Sequence, residues 1–245
     1  MYSLWLTLTA LLCFAEVCCA RESNAERLAR GLTPLRPRFR SILPGFSPTR
    51  VFTAKRNVAS NFPIATSYSG RIEVRNKDGD VLGYVKNWSG SAPISGVNWG
   101  ASNEELHIQF NIPQTVNDPG PFDIVVTNPN FASPFYVGVS TGSPVTLKPG
   151  ELQALGFSNV PQTPAGSPPM NTGSAYTESR IWTFKKDTKQ LIPQYINPDG
   201  SKPATVIAFS IKYNQIFFVE NITAWNVQYY WDYASDVSFF LAKTA

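Results

Sequence analysis

The stretch AWNVQYYWDY, Ala224 to Tyr233, sets five aromatic rings close together: Trp225, Tyr229, Tyr230, Trp231 and Tyr233. Flat rings of this kind stack on the apolar C–H faces of sugars, because an aromatic face is electron-rich and its edge is not. The same residue types also fill protein cores. These five are the candidate ligand-binding residues, and core packing is their competing use.

Other chemistries find fewer materials. The chain has one histidine, His107, on the polar side of an alternating segment. No G-x-S-x-G turn accompanies it, so a solvated strand histidine fits better than a Ser-His-acid triad. All three cysteines, Cys13, Cys18 and Cys19, stand near the start of the chain. The body therefore offers no thiolate nucleophile, no disulfide and no Cys-ligated zinc. Neither a P-loop nor a dinucleotide fingerprint is present, and no metal or cofactor is expected. Carboxylates remain, and glycoside hydrolysis needs only two, about 5–9 Å apart. Candidates are Glu73, Glu104, Glu105, Asp123, Glu178, Asp187, Glu220, Asp232 and Asp236, with Glu178 and Glu220 the least easily assigned to turns. No catalytic residue is singled out among them.

The elements that would position these residues begin with a leader. Ser3 to Ala15 is uncharged and apolar, and Cys18-Cys19-Ala20 puts small residues at the −3 and −1 positions. That is the form of a secretory signal, residues 1–20, cleaved after Ala20. A membrane anchor is the rival, but a span needs about 20 apolar residues and Glu16 interrupts the run. The expectation is a secreted, extracellular protein with no membrane span after cleavage.

Residues 21–60 form a basic arm with Pro34, Pro37, Pro44 and Pro48, carrying nine cations against Glu22 and Glu26. Its composition predicts disorder. The net charge of +4 belongs to this arm, since residues 61–245 hold twelve cations and fourteen acids. Secretion makes nucleic acid a poor partner for it. Lys55-Arg56 is a dibasic pair of the kind cut by secretory processing proteases. The arm is then a propeptide ending at Arg56, or else a linker with two adjacent basic residues. Secreted protein beginning at Asn57 establishes the first reading, and protein beginning at Arg21 the second.

From Tyr68 onward, period-two patterns dominate. Leu106, Ile108, Phe110 and Ile112 face one way, and His107, Gln109 and Asn111 the other, as in a half-buried strand. Further strands are expected at Gly70–Arg75, Val81–Trp88, Phe122–Thr127, Phe135–Ser140, Val145–Lys148, Arg180–Phe184, Leu191–Ile196, Thr205–Lys212, Ile216–Val219 and Val237–Leu241. Turn clusters such as Lys77-Asp78-Gly79 and Asn197-Pro198-Asp199-Gly200 separate them. No segment sustains a 3.6-residue period. Residues 61–245 are thus expected to fold as an all-β, antiparallel, jelly-roll-like β-sandwich held by burial alone.

Two hairpins share a pattern. RIEVRNKDGDVL (Arg71–Leu82) and RIWTFKKDTKQL (Arg180–Leu191) match at R-I, K-D and L, with Glu73 in one where Trp182 stands in the other. Aspartate bonds its own backbone in tight turns, so the pattern reads as turn chemistry used twice or as a duplicated half-domain. Two sequons, Asn87-Trp88-Ser89 and Asn221-Ile222-Thr223, would carry N-glycans at Asn87 and Asn221 in the secretory route.

The segments RLARGLTPLRPR, GRIEVRNKDGDVLGYV, TPAGSPP, and ESRIWTF with YINPDGSKPAT occur in an order that resembles a set of secreted proteins of mushroom-forming fungi. The resemblance implies a signal peptide, a basic Pro-rich arm and a single β-sandwich-like domain. It brings no activity, ligand or catalytic residue with it. The stretch NITAWNVQYYWDYASDVSFF is more aromatic than that pattern. The function expected is a glycan- or cell-wall-binding module whose partner is extracellular polysaccharide. The rivals are a carboxylate-dependent glycan hydrolase and a structural surface protein with no small ligand.

Overall fold

The computed structural model describes residues 65–100, 102–113 and 120–244, together with Arg27, Arg30 and Gly31. The chain divides into two units, Met1–Asn57 and Val58–Ala245, and the fold described below is that of the second. The leader with Ala20, the dibasic pair Lys55-Arg56, and the arm apart from those three residues lie outside the described residues.

Among the described residues fourteen strands follow one another: β1 (Ala65–Asn76), β2 (Val81–Val85), β3 (Val97–Asn98), β4 (His107–Pro113), β5 (Ile124–Val126), β6 (Tyr136–Thr141), β7 (Ala154–Val160), β8 (Met170–Asn171), β9 (Tyr176–Glu178), β10 (Trp182–Lys185), β11 (Gln190–Pro193), β12 (Val206–Ser210), β13 (Gln215–Val219) and β14 (Ala234–Ala242). One helix, α1 (Ile222–Gln228), separates the last two. Every strand pairing is antiparallel, so the all-β, antiparallel expectation holds.

The expected two-layer sandwich is corrected to a closed ladder. The circuit β1-β4-β5-β6-β7-β13-β12-β14 returns to β1, with Arg71 opposite Ala242 and Asn76 opposite Val237 at the closing seam. Closure removes the free edges that two separate sheets would each carry. At the seam Gly70 passes so near β14 that a Cβ there would stand 2.1 Å from the Ala242 carbonyl oxygen. Only glycine fits that approach.

The interior is filled from all sides by alternating residues: Ile72 and Val74 of β1, Ile108, Phe110 and Ile112 of β4, Phe157 of β7, Phe218 of β13 and Phe239 of β14. Trp182 enters this core with none of its surface exposed. Its ring stacks on Phe239 at 6.1 Å, meets Phe157 and Phe218 edge-on, and donates Nε1–H to the Val137 carbonyl at 2.8 Å. A smaller cluster lies on the other face of β12, β13 and β14, where Ala208, Phe217, Val219 and Ala234 receive Ile222 and Trp225 from α1.

Both pattern-sharing hairpins form, β1–β2 and β10–β11. The isoleucine of the shared R-I pair is buried in both, Ile72 and Ile181, while the next position differs: Glu73 pairs with Arg75, and Trp182 enters the core with Phe184 packed against it. The first turn is held by Asn76 rather than by aspartate: its Oδ1 accepts the Asp78 and Asp80 amides at 2.9 and 2.8 Å.

One local expectation is corrected. Val145–Lys148 is not a strand, because the Asn197 side chain takes the place of a partner strand. Asn197 Oδ1 accepts the Leu147 N–H at 2.8 Å, and its Nδ2 donates to the Leu147 carbonyl at 2.9 Å. Within the aromatic run the backbone turns helical, since Asn221 caps α1 by accepting the Thr223 and Ala224 amides. Such a cap satisfies amides that a helix start leaves without partners.

Candidate functional site

The five aromatic candidates divide into three roles. Trp225 and Tyr229 are half-buried, with Trp225 packed on Phe217 at 4.9 Å and Tyr229 on Trp225 at 4.2 Å. Tyr230 and Trp231 stand exposed beyond them. Trp231 is set at 84° to Tyr229 and 82° to Tyr230, so these rings form no coplanar platform. Tyr233, 67% exposed, lines a groove.

That groove, of about 690 Å³, runs between the β1–β2 turn and α1. Asn76, Lys77 and Asp78 come from the turn; Thr223, Asn226 and Val227 from the helix; Tyr233, Ser235 and Asp236 from the chain entering β14. Asn226 holds the wall in place by bonding both backbone groups of Ala234, at 2.8 Å each. The carboxylates of Asp78 and Asp236 face the groove with no ion-pair or hydrogen-bond partner among the described residues. Partial burial raises the Asp236 carboxyl from its ordinary value. The groove is legible in the sequence only at Tyr233 and Asp236, because its other wall is contributed by a turn far away in the chain.

Most other acids serve the structure. Glu73 pairs with Arg75, and Glu105 with Arg71. Glu104 accepts the Trp88 indole N–H, and Asp232 accepts the Ser210 hydroxyl. Asp123 accepts Ser179 Oγ at 2.6 Å and Gln162 Nε2 at 2.9 Å. Asp187 sits in the exposed β10–β11 turn. Glu178 and Glu220 each keep one buried oxygen without a hydrogen-bond partner, and neither lines the groove. Glu178 is 1% exposed; its Oε2 accepts the Ile196 N–H at 3.2 Å. Burial pushes its carboxyl up to about 8, the Ile196 hydrogen bond opposing only part of that rise. Burial, then the neighbouring Glu178 carboxyl, push the Tyr195 phenol above its ordinary range.

His107 is half-buried at the start of β4, and no hydroxyl or carboxylate among the described residues bonds its ring. Asn87 is 1% exposed, donates Nδ2 to the Asn128 carbonyl at 2.6 Å and accepts the Asn130 N–H at 2.9 Å, so a glycan on that nitrogen would displace the bond to Asn128. Asn221 is exposed, and its helix cap uses only Oδ1, which leaves Nδ2 for attachment.

The chain matches no family model, no curated protein and no solved structure. The groove and its chemistry therefore carry the functional reading.

Proposed function

We propose that the protein is secreted and binds extracellular or cell-wall polysaccharide through the groove beside Tyr233. One observation supports this reading above the others: an exposed aromatic ring and two unpartnered carboxylates, Asp78 and Asp236, share one groove of about 690 Å³. An aromatic wall takes the apolar face of a sugar, and acceptors beside it take the hydroxyls.

Tyr233→Ala is expected to weaken retention on insoluble glucan or chitin about ten-fold. Trp231→Ala, outside the groove, leaves retention at the native level. Native protein that passes through unretained removes the reading. A pull-down with the supernatant assayed for reducing ends also separates the hydrolase from the binding module. The hydrolase draws on one feature, the raised Asp236 carboxyl beside a second carboxylate, which is how acid and base roles are divided. Released reducing ends, lost in Asp236→Asn, decide for hydrolysis; retention without release decides for binding.

A further inference from the structure

The end of the barrel beside this groove carries apolar surface that the groove does not use. The turn between β12 and β13 and the loop after α1 are fastened together there. Ser210 Oγ donates to the Asp232 carboxylate, and Lys212 Nζ donates to the Trp231 carbonyl at 3.0 Å. On its far side the turn is tied to β3, where Asn214 accepts the Val97 N–H at 2.7 Å and donates to the Val97 carbonyl at 2.9 Å. The pieces so fixed display Ile211 at 72%, Tyr213 at 55%, Tyr230 at 78% and Trp231 at 51% exposure. Lys212 lies among them, its ammonium 4.9 Å from the Tyr213 ring centre. Large apolar side chains held outward by a rigid frame mark an interaction surface rather than a packing defect.

The chemistry of the patch distinguishes its occupants. A sugar needs a ring face and hydroxyl partners, whereas Ile211 offers neither and the Tyr230 and Trp231 rings stand nearly perpendicular. A second copy of the chain meeting the patch about a two-fold axis would bring Lys212 towards its own equivalent, a like-charge contact. A phospholipid surface suits every residue present. Tyr and Trp rings settle at the headgroup level, an isoleucine side chain enters the acyl boundary, and lysine keeps its ammonium beside the phosphates. We propose that this end of the barrel docks on a phospholipid bilayer, with Ile211, Tyr213, Tyr230 and Trp231 entering the interface and Lys212 meeting a lipid phosphate.

The attachment is made by burial with one local cation, so zwitterionic lipid suffices. Full-length secreted protein is expected to co-sediment with phosphatidylcholine vesicles, to keep doing so in high salt, and to shift its tryptophan emission to the blue. Ile211→Asp and Trp231→Ala are each expected to reduce the partition coefficient about ten-fold. Thermal melts check that each variant is folded, and Tyr213→Ser serves as a replacement where one is not. No sedimentation of the native protein overturns the proposal, as does sedimentation that these variants leave unchanged. Binding confined to phosphatidylserine vesicles and abolished by salt also overturns it, because a basic segment would then be the anchor. The Tyr233→Ala result on glucan is independent of all these outcomes, so groove and tip can fail separately.

Discussion

Replacing Glu178 by glutamine should raise the stability of the protein at pH 8 and flatten its dependence on pH. The carboxyl is buried on β9 with one oxygen on the Ile196 N–H and the other without a partner. In the unfolded chain it titrates near the ordinary 4.5, and in the folded chain at about 8. The folded state thus holds the proton more tightly. The contribution from this group is fully present below about pH 4.5, falls as pH climbs, and is gone once pH passes about 8. The gap between those two values corresponds to at most about 5 kcal/mol, a large share of the stability of an ordinary domain. Glutamine keeps the shape and cannot ionise. Urea midpoints for the native protein should decline between pH 5 and pH 8, those of Glu178→Gln should not, and the two curves should converge in acid. An equal slope in both proteins would mean that the folded chain carries the carboxylate charged.

The same physics separates Glu178 from a catalytic acid. A raised carboxyl serves catalysis when it faces a substrate, and Glu178 lines no part of the groove. Its Oε1 lies in the interior, and its carboxyl acts on the Tyr195 phenol, whose hydroxyl donates to the Val145 carbonyl at 2.7 Å. The residue's own contribution to stability is greatest in acid.

Local pattern carried much of this fold. Ile108, Phe110 and Ile112 are buried and Gln109 and Asn111 exposed, as the alternation in β4 requires. The hairpin turns at Lys77–Asp80 and Lys186–Lys189 stand where their turn residues put them. Closure of the ladder left no such mark. It depends on β1 meeting β14, and its one local trace is Gly70, a residue any turn or bulge could also claim. Asn197 hid the true state of Val145–Lys148 because a side chain supplied what periodicity assigns to a strand. Asn221 reads equally as sequon and as helix cap, and α1, at seven residues, is too short to show a period. In the candidate site, composition pointed to the aromatic run but could not give ring angles. Nor could a three-residue sequon reveal that Asn87 is enclosed by Asn128 and Asn130.

Trp182→Ala should cost the fold more than any single truncation on its surface. The indole is wholly buried among Phe157, Phe218 and Phe239, side chains from three strands of the closed circuit. Removing so large a side chain from a packed core costs about 3–5 kcal/mol, because the cavity left behind only partly collapses. The loss of the Nε1–H also strips a donor from the Val137 carbonyl, a further cost of about 1 kcal/mol. Trp182→Phe separates the two effects: it retains most of the apolar volume, gives up the hydrogen bond, and should fall between native and alanine. Tyr230→Ala, at 78% exposure, is the control and should stay within about 0.5 kcal/mol of native. Denaturation midpoints for the four proteins test this ordering. If Trp182→Ala melted with the control, the core would not depend on this ring's packing. The contrast with Glu73, its counterpart in the first hairpin, would then lose its meaning: there the matching position pairs with Arg75, and here it packs among three core rings.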